Sequence, residues 1–223
     1  MQKFLEEEQK KEVLKYSWIH VRLVKEKNID EYDLFFLGGG ADKEQNLIFA
    51  DLLQRKQSIQ TAMDHKTAFL LICGGYQLFG QYYKDQDGNV IEGLKFFDYY
   101  TVAGNRDERC IGNIAVETTM DGKTFKAVGF ENHGGQTKNV STPFAKVLSG
   151  HGNEMHSGFE GFMNEQVLAT YMHGPLLPKN PDIADAILKR ALKKRYGEVT
   201  LEPLDDTIEY QAQNVMLERL QCK

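Results

Sequence analysis

Ala68-Phe69-Leu70-Leu71-Ile72-Cys73-Gly74-Gly75-Tyr76-Gln77-Leu78-Phe79 is the stretch that decides how the rest of this 223-residue chain is read. Five consecutive apolar residues describe a strand buried on both faces, and such strands belong to parallel sheets covered by helices. The run stops at a cysteine and two glycines and continues with helical character. A strand that turns sharply into a helix at a cysteine holds the thiol in a strained backbone at the carboxyl edge of the sheet. The helix N-terminus behind it is expected to lower the thiol pKa. Gly75 permits a close strand-to-helix approach, and the backbone N–H of Gly74 is placed to face the oxyanion of a tetrahedral intermediate. Cys73 is therefore a candidate nucleophile.

Upstream, Asp33-Leu34-Phe35-Phe36-Leu37 is a second short apolar run, ending in Gly38-Gly39-Gly40. Such a turn can bring backbone amides up to a substrate, and Gly39 is the first choice for a second oxyanion donor. It is not a dinucleotide loop, which would need glycine at Lys43, nor a phosphate loop, which would need Gly-Lys-Ser/Thr downstream. A plain strand-ending turn is the alternative. Residues 45–60 read as helix between these strands, and further back Phe4 to Lys15 reads as a charged helix and Trp18 to Val24 as a strand.

Downstream, Ile114 to Thr118 and Thr124 to Phe130 flank Asp121-Gly122, a pair suited to a tight hairpin turn. Val167 to Met172 is one more strand, and it delivers His173. Pro181 starts a helix with Ile183, Ile187, Leu188 and Leu192 on one face and basic residues toward its end. A last helix, about Asp206 to Leu220, carries Ile208, Ala212, Val215 and Met216 on one side. Strands alternating with helices predict an α/β three-layer sandwich with a mainly parallel central sheet of flavodoxin-like type, plus a small antiparallel section. Residues 1–223 are read as a single domain.

With 41% hydrophobic and 26% charged residues the chain can build one substantial core. A net charge of -5 argues against nucleic-acid binding, which needs a basic footprint. No apolar run approaches the roughly 20 residues of a membrane-spanning helix, and the charged first residues do not read as a signal peptide, so a cytoplasmic location is expected. Cys73, Cys110 and Cys222 are scattered and form no CxxC pair, so neither a disulfide framework nor a metal site is expected.

A thiol nucleophile needs a base. Of the six histidines, His173 is best placed because it ends an apolar strand as Cys73 does. The alternative reading is a half-buried histidine that merely ends a strand. His133, in Glu131-Asn132-His133-Gly134-Gly135, is the rival.

Taken together, the Cys73 segment, Phe36-Leu37-Gly38-Gly39-Gly40-Ala41-Asp42-Lys43-Glu44-Gln45, Gly129 to Gly135, and Tyr171-Met172-His173-Gly174-Pro175 resemble the class I glutamine amidotransferases of the cobyric acid synthase-like (CobB/CobQ-like) group. Within that group the chain resembles the glutaminase subunits of lipid II isoglutaminyl synthase, from about residue 30 to the C-terminus. The resemblance implies that Cys73 forms a glutamyl thioester, that His173 is its base, and that Gln77 lies beside the substrate. It also makes Arg109 the holder of the α-carboxylate of L-glutamine, a task suited to a planar bidentate donor, although a solvated surface arginine is the other reading. Asn132 and His133 would line the site.

There are three departures from the family pattern. His173-Gly174-Pro175 lacks the carboxylate that usually follows the histidine by two residues, which suggests a Cys-His dyad, as in the lipid II subunits. Gln136 stands where relatives often carry arginine. The family's first strand and the loop after it are not recognisable before residue 4, so the chain reads as shortened at its start.

By this resemblance the chain hydrolyses glutamine to glutamate and ammonia, and the ammonia passes to a Mur-ligase-like synthetase subunit that amidates the D-glutamate of the lipid II stem peptide. No cofactor is expected in this chain; ATP and magnesium would belong to the partner, since no phosphate loop is present. Three alternatives are a cobyrinate-type amidotransferase, a catalytically silent regulatory module and a cysteine peptidase of similar architecture.

Overall fold

The computed structural model describes residues 29–40, 42–105 and 107–222. The helix read at Phe4 to Lys15, the strand at Trp18 to Val24 and the start of the chain, where the family's first strand was not recognised, all lie outside those residues.

In chain order the elements are β1 (Leu34–Leu37), α1 (Asp42–Gln54), α2 (Lys56–Asp64), β2 (Ala68–Ile72), α3 (Gly74–Phe79), β3 (Tyr82–Lys84), β4 (Val90–Glu92) and β5 (Tyr100–Ala103). There follow β6 (Cys110–Met120), β7 (Lys123–His133), β8 (Gly135–Lys138), β9 (Ala145–Ser149), β10 (Phe159–Glu160) and β11 (Phe162–Met163). The chain closes with β12 (Val167–Thr170), β13 (Met172–His173), α4 (Leu176–Lys179), α5 (Pro181–Tyr196) and α6 (Thr207–Arg219).

The sheet that carries the thiol runs β1-β2-β12-β11, with β1, β2 and β12 parallel and β11 antiparallel. Every residue of β2 is buried. Its side chains alternate between two cores: Phe69 and Leu71 join Tyr76, Phe79, Tyr99 and Tyr171 on one side, while Leu70 and Ile72 join Ile114, Leu168, Ile183 and Ile187 on the other. A period of two, apolar at every position, is the pattern of a strand covered on both faces. The α/β class read from the 68–79 segment therefore follows from its burial.

The antiparallel part is larger than the one hairpin legible in sequence. A five-stranded sheet runs β10-β9-β6-β7-β13 and a four-stranded sheet runs β4-β3-β5-β8. Asp121 and Gly122 connect β6 to β7 with φ of 51° and 79°, the left-handed pair a two-residue hairpin requires.

Three elements differ from expectation. The helix read over 45–60 is two helices, broken at Arg55, whose guanidinium lies on the Asp51 carboxylate at 2.8 Å and 3.1 Å. The strand read to Met172 is two strands in two sheets: β12 pairs with β2, and after Tyr171 the chain crosses so that β13 pairs with β7. On α5, Ile183 and Ile187 face the core with Ala186 and Ala191, but Leu188 is exposed.

The last helix is also turned from the face its apolar spacing suggested. Ile208 is 76% exposed and Val215 45%, and the inward residues are Gln213 and Leu217. The Gln213 side-chain amide donates to the Lys179 carbonyl (3.2 Å) and to Asn180 Oδ1 (3.0 Å), and these polar contacts at the end of α4 fix the helix rotation. No helix among the described residues is long and apolar enough to cross a membrane.

Candidate active site

Cys73 sits between β2 and α3 with φ 52° and ψ -107°. This backbone region is costly for any residue with a Cβ and is tolerated where the surroundings over-determine it. Here the Cys73 N–H donates to the Thr170 carbonyl at 2.9 Å, and the Cys73 carbonyl accepts the Gln77 N–H at 3.0 Å. The first bond ties the elbow to β12, and the second starts the helix. Close packing does the rest. A Cβ added to Gly75 would come within 2.5 Å of the Leu37 carbonyl oxygen, so only glycine lets α3 lie this tightly on β1.

The Gly38-Gly39-Gly40 turn lies directly against the thiol. A Cβ on Gly39 would be 3.0 Å from Cys73 Cβ, 3.5 Å from its Sγ and 3.5 Å from the Gly74 nitrogen. Gly39 thus lies against the Cys73 side chain and beside the Gly74 nitrogen. Of the other cysteines, Cys110 is buried and its thiol is pushed up to about 11 by that burial. Cys222 is half-buried near the C-terminus, with its thiol on the Leu220 carbonyl. A protonated, enclosed Cys110 is a poor nucleophile.

His173 ends β13, three residues past the Thr170 that holds Cys73, so it follows directly on the crossing by which the chain leaves the thiol-bearing sheet at the carboxyl end of β12. It is half-buried. Its Nε2 is enclosed and has no hydrogen-bond partner among the described residues, and burial lowers its pKa. The shift favours the unprotonated imidazole, the form a general base requires.

His133 is the opposite case. It is 3% exposed, its ring stacks on Tyr171 with centroids 3.7 Å apart, and Nδ1 bonds the Gly135 carbonyl at 2.7 Å. Burial drives its pKa down to about 4, assisted by the nearby His173, His151 and Arg109. It is a packed wall of the site.

Arg109 is exposed just before β6, with Nε (3.1 Å) and Nη2 (2.8 Å) both donating to Asn132 Oδ1. The fork is thereby oriented by the residue opposite the start of β6, and Nη1 stays outside that clasp. Gln77 is 4% exposed, and its Nε2 donates to the Tyr171 hydroxyl at 3.1 Å. That hydroxyl in turn meets Thr137 Oγ1 at 2.5 Å, and Thr137 meets Thr101 at 2.8 Å. Gln77 therefore lies beneath the site within a buried polar chain. Gln136 is also buried: it donates to the Glu108 carbonyl (3.1 Å) and accepts the Met155 N–H.

A nucleophile elbow, a facing glycine turn and a histidine three residues past the backbone that holds the elbow describe an acyl-transfer site. A sequence profile of the CobB/CobQ-like glutamine amidotransferase domain matches residues 5–181. The chain belongs to that family. It is 35% identical over 215 residues to the lipid II isoglutaminyl synthase (glutamine-hydrolyzing) subunit GatD of Staphylococcus aureus, which covers 96% of this chain and 86% of that one. It is 39% identical to the same-named subunit of Streptococcus pneumoniae over 76% of this chain and 65% of the relative. A probable cobyric acid synthase of Methanocaldococcus jannaschii is 32% identical over 65% of this chain, which spans 31% of that longer protein.

Within this glutamine amidotransferase, the structure adds residues that motif reading passed over. Tyr171 joins Gln77, Thr137 and the His133 ring in one buried assembly, and its burial pushes the phenol far above its usual range. Glu131 is wholly buried and accepts the His151 and Gly152 N–H groups at 2.8 Å and 3.0 Å. Glu160 is wholly buried against Thr170 and Tyr171. A signal existed for these residues, since Thr170 and Tyr171 are polar side chains at the end of an otherwise apolar strand.

Proposed function

We propose that this amidotransferase hydrolyses L-glutamine to L-glutamate and ammonia through Cys73 and His173. The observation that carries the reading is the positive-φ Cys73, wedged against Gly39 and hydrogen-bonded to Thr170, where the chain turns toward His173. His173 takes the thiol proton. The thiolate attacks the side-chain carbonyl carbon of glutamine, and the oxyanion receives the N–H groups of Gly39 and Gly74. Collapse breaks the C–N bond as His173 gives its proton to the leaving nitrogen, releasing ammonia and leaving a γ-glutamyl thioester on Cys73. Water, deprotonated by His173, then cleaves the thioester to glutamate and regenerates the thiol. Arg109, aimed by Asn132, holds the α-carboxylate of glutamine, while Gln77 supports the floor through Tyr171.

The similarity to two isoglutaminyl synthase subunits supports a destination for the ammonia. It passes to a Mur-ligase-like subunit that uses ATP and magnesium to amidate the D-glutamate of lipid II, in the cytoplasm. This chain holds no cofactor of its own, and residues 1–223 act as one domain. The test is glutamate release by the purified chain, alone and with a Mur-ligase-like partner, with Cys73→Ala as control. Cys73-dependent release supports the reading; a chain silent even with the partner refutes it in favour of a regulatory module.

A further inference from the structure

The chain crosses between the two main sheets twice, side by side. On the way out, β10 of the antiparallel sheet becomes β11 of the parallel sheet at Glu160-Gly161-Phe162; on the way back, β12 becomes β13 at Thr170-Tyr171-Met172. The second crossing is the piece of backbone on which both candidate catalytic groups are registered. The Thr170 carbonyl accepts the Cys73 N–H at 2.9 Å, and the chain reaches His173 one residue after Met172.

One side chain joins the crossings. Thr170 Oγ1 lies 2.9 Å from Glu160 Oε2, the Tyr171 N–H donates to Glu160 Oε1 at 2.7 Å, and the Met172 N–H donates to Thr170 Oγ1 at 3.0 Å. The kink removes Tyr171 and Met172 from the parallel ladder, and a buried N–H left without a partner costs about 1–3 kcal/mol. Glu160 and Thr170 supply those partners. Glu160 is itself fixed from behind: Asn153 accepts the Gly161 N–H at 2.7 Å and donates to the Gly161 carbonyl at 3.0 Å. A Cβ on Gly161 would meet the Ala169 carbonyl oxygen at 2.4 Å, so this crossing cannot slide along β12.

We infer that Glu160 is a positioning residue for glutamine hydrolysis, setting the Thr170–Met172 kink that holds the Cys73 elbow and His173 in register. This rests on Cys73 and His173 being the reacting pair. No cation accompanies the Glu160 carboxyl among the described residues. Its burial, with Glu131 as an additional negative neighbour, pushes the pKa up to about 8. The rise favours the neutral acid, with Oε1 accepting from the Tyr171 N–H and Oε2 paired with the Thr170 hydroxyl. Glutamine has the same shape and can place a carbonyl and an N–H in those two roles, whereas alanine fills neither.

The experiment compares the full-length chain with Glu160→Ala, Glu160→Gln and Thr170→Val, each checked for folding by circular dichroism. Glutaminase kcat and KM are measured together with the iodoacetamide alkylation rate of the Cys73 peptide, followed by mass spectrometry. A displacement of a reacting group by about 1 Å can cost on the order of 100-fold in rate. Glu160→Ala should therefore lower kcat by about 100-fold with KM held within about threefold, and slow Cys73 alkylation. Thr170→Val should show the same split at about tenfold, and Glu160→Gln should recover most of the alanine loss. Folded Glu160→Ala and Thr170→Val chains with unchanged kcat and alkylation would overturn the inference. So would a Glu160→Gln chain as slow as Glu160→Ala. If the unmutated chain releases no glutamate, the functional reading fails, and the alkylation rates still decide whether Glu160 sets the thiol.

Discussion

Replacing Cys73 with glycine should give a more stable protein than replacing it with alanine, although both lose the nucleophile. The side-chain transfer and cavity costs of removing the sulfur are common to the two variants to first order. What separates them is the backbone at φ 52° and ψ -107°. A non-glycine residue held in such a region costs on the order of 1–3 kcal/mol. Glycine is relieved of that cost but loses about 0.5–1 kcal/mol more chain entropy on folding. The balance favours Cys73→Gly over Cys73→Ala by about 1 kcal/mol. For a chain of this size that corresponds to a Tm higher by about 2–4 °C. Calorimetric melts of the two variants, under conditions where unfolding is reversible, measure the difference directly. An alanine variant that melts at or above the glycine variant would refute the claim that the elbow is strained.

Gly75→Ala should lower the Tm by about 2–12 °C, because the new methyl meets the main-chain Leu37 oxygen at 2.5 Å and overpacking of this kind costs about 1–3 kcal/mol; a shift under a degree in a thermal melt would contradict the packing. Arg109→Ala should raise KM for glutamine at least about tenfold with a smaller fall in kcat, since one charge-assisted pair with the α-carboxylate is lost, and an unchanged KM in steady-state assays removes Arg109 from the site. Burial lowers the His173 pKa, so the acid limb of kcat/KM should fall below the ordinary histidine value of about 6.5; a limb at or above that value counts against His173 as the base. His133 is held neutral, with a folded pKa of about 4 beneath an unfolded value of about 6.5. Its stabilisation is full above pH 6.5 and is lost as pH falls toward 4, by up to about 3 kcal/mol. His133→Phe should flatten that window in urea titrations across pH, and an unchanged slope would contradict the linkage.

The α/β class was legible because β2 is apolar at every position, and only a strand covered on both faces asks for that. The hairpin was legible because Asp121-Gly122 accepts positive φ. The thiol and the glycine turn could be placed together from strand ends, since parallel strands deliver their carboxyl termini to one edge, whereas His173 ends a strand of the antiparallel sheet. The break at Tyr171 was not legible: residues 167–172 are continuous in apolar character, and the kink is made by a carboxyl from residue 160, which local periodicity cannot see. The rotation of α6 was misread for a related reason. Ile208 and Val215 have the spacing of a buried face, yet Gln213 turns inward because Asn180 and the Lys179 carbonyl need its amide. Long-range polar contacts decided both places.

Glutamine hydrolysis by this chain turns on the thiol of Cys73. The most direct test is labelling of the folded chain with 6-diazo-5-oxo-norleucine, read by intact mass and peptide mapping. One adduct is expected, on Cys73, absent from Cys73→Ala and suppressed by excess glutamine. Labelling that falls on Cys222 instead, or that glutamine does not suppress, would contradict it.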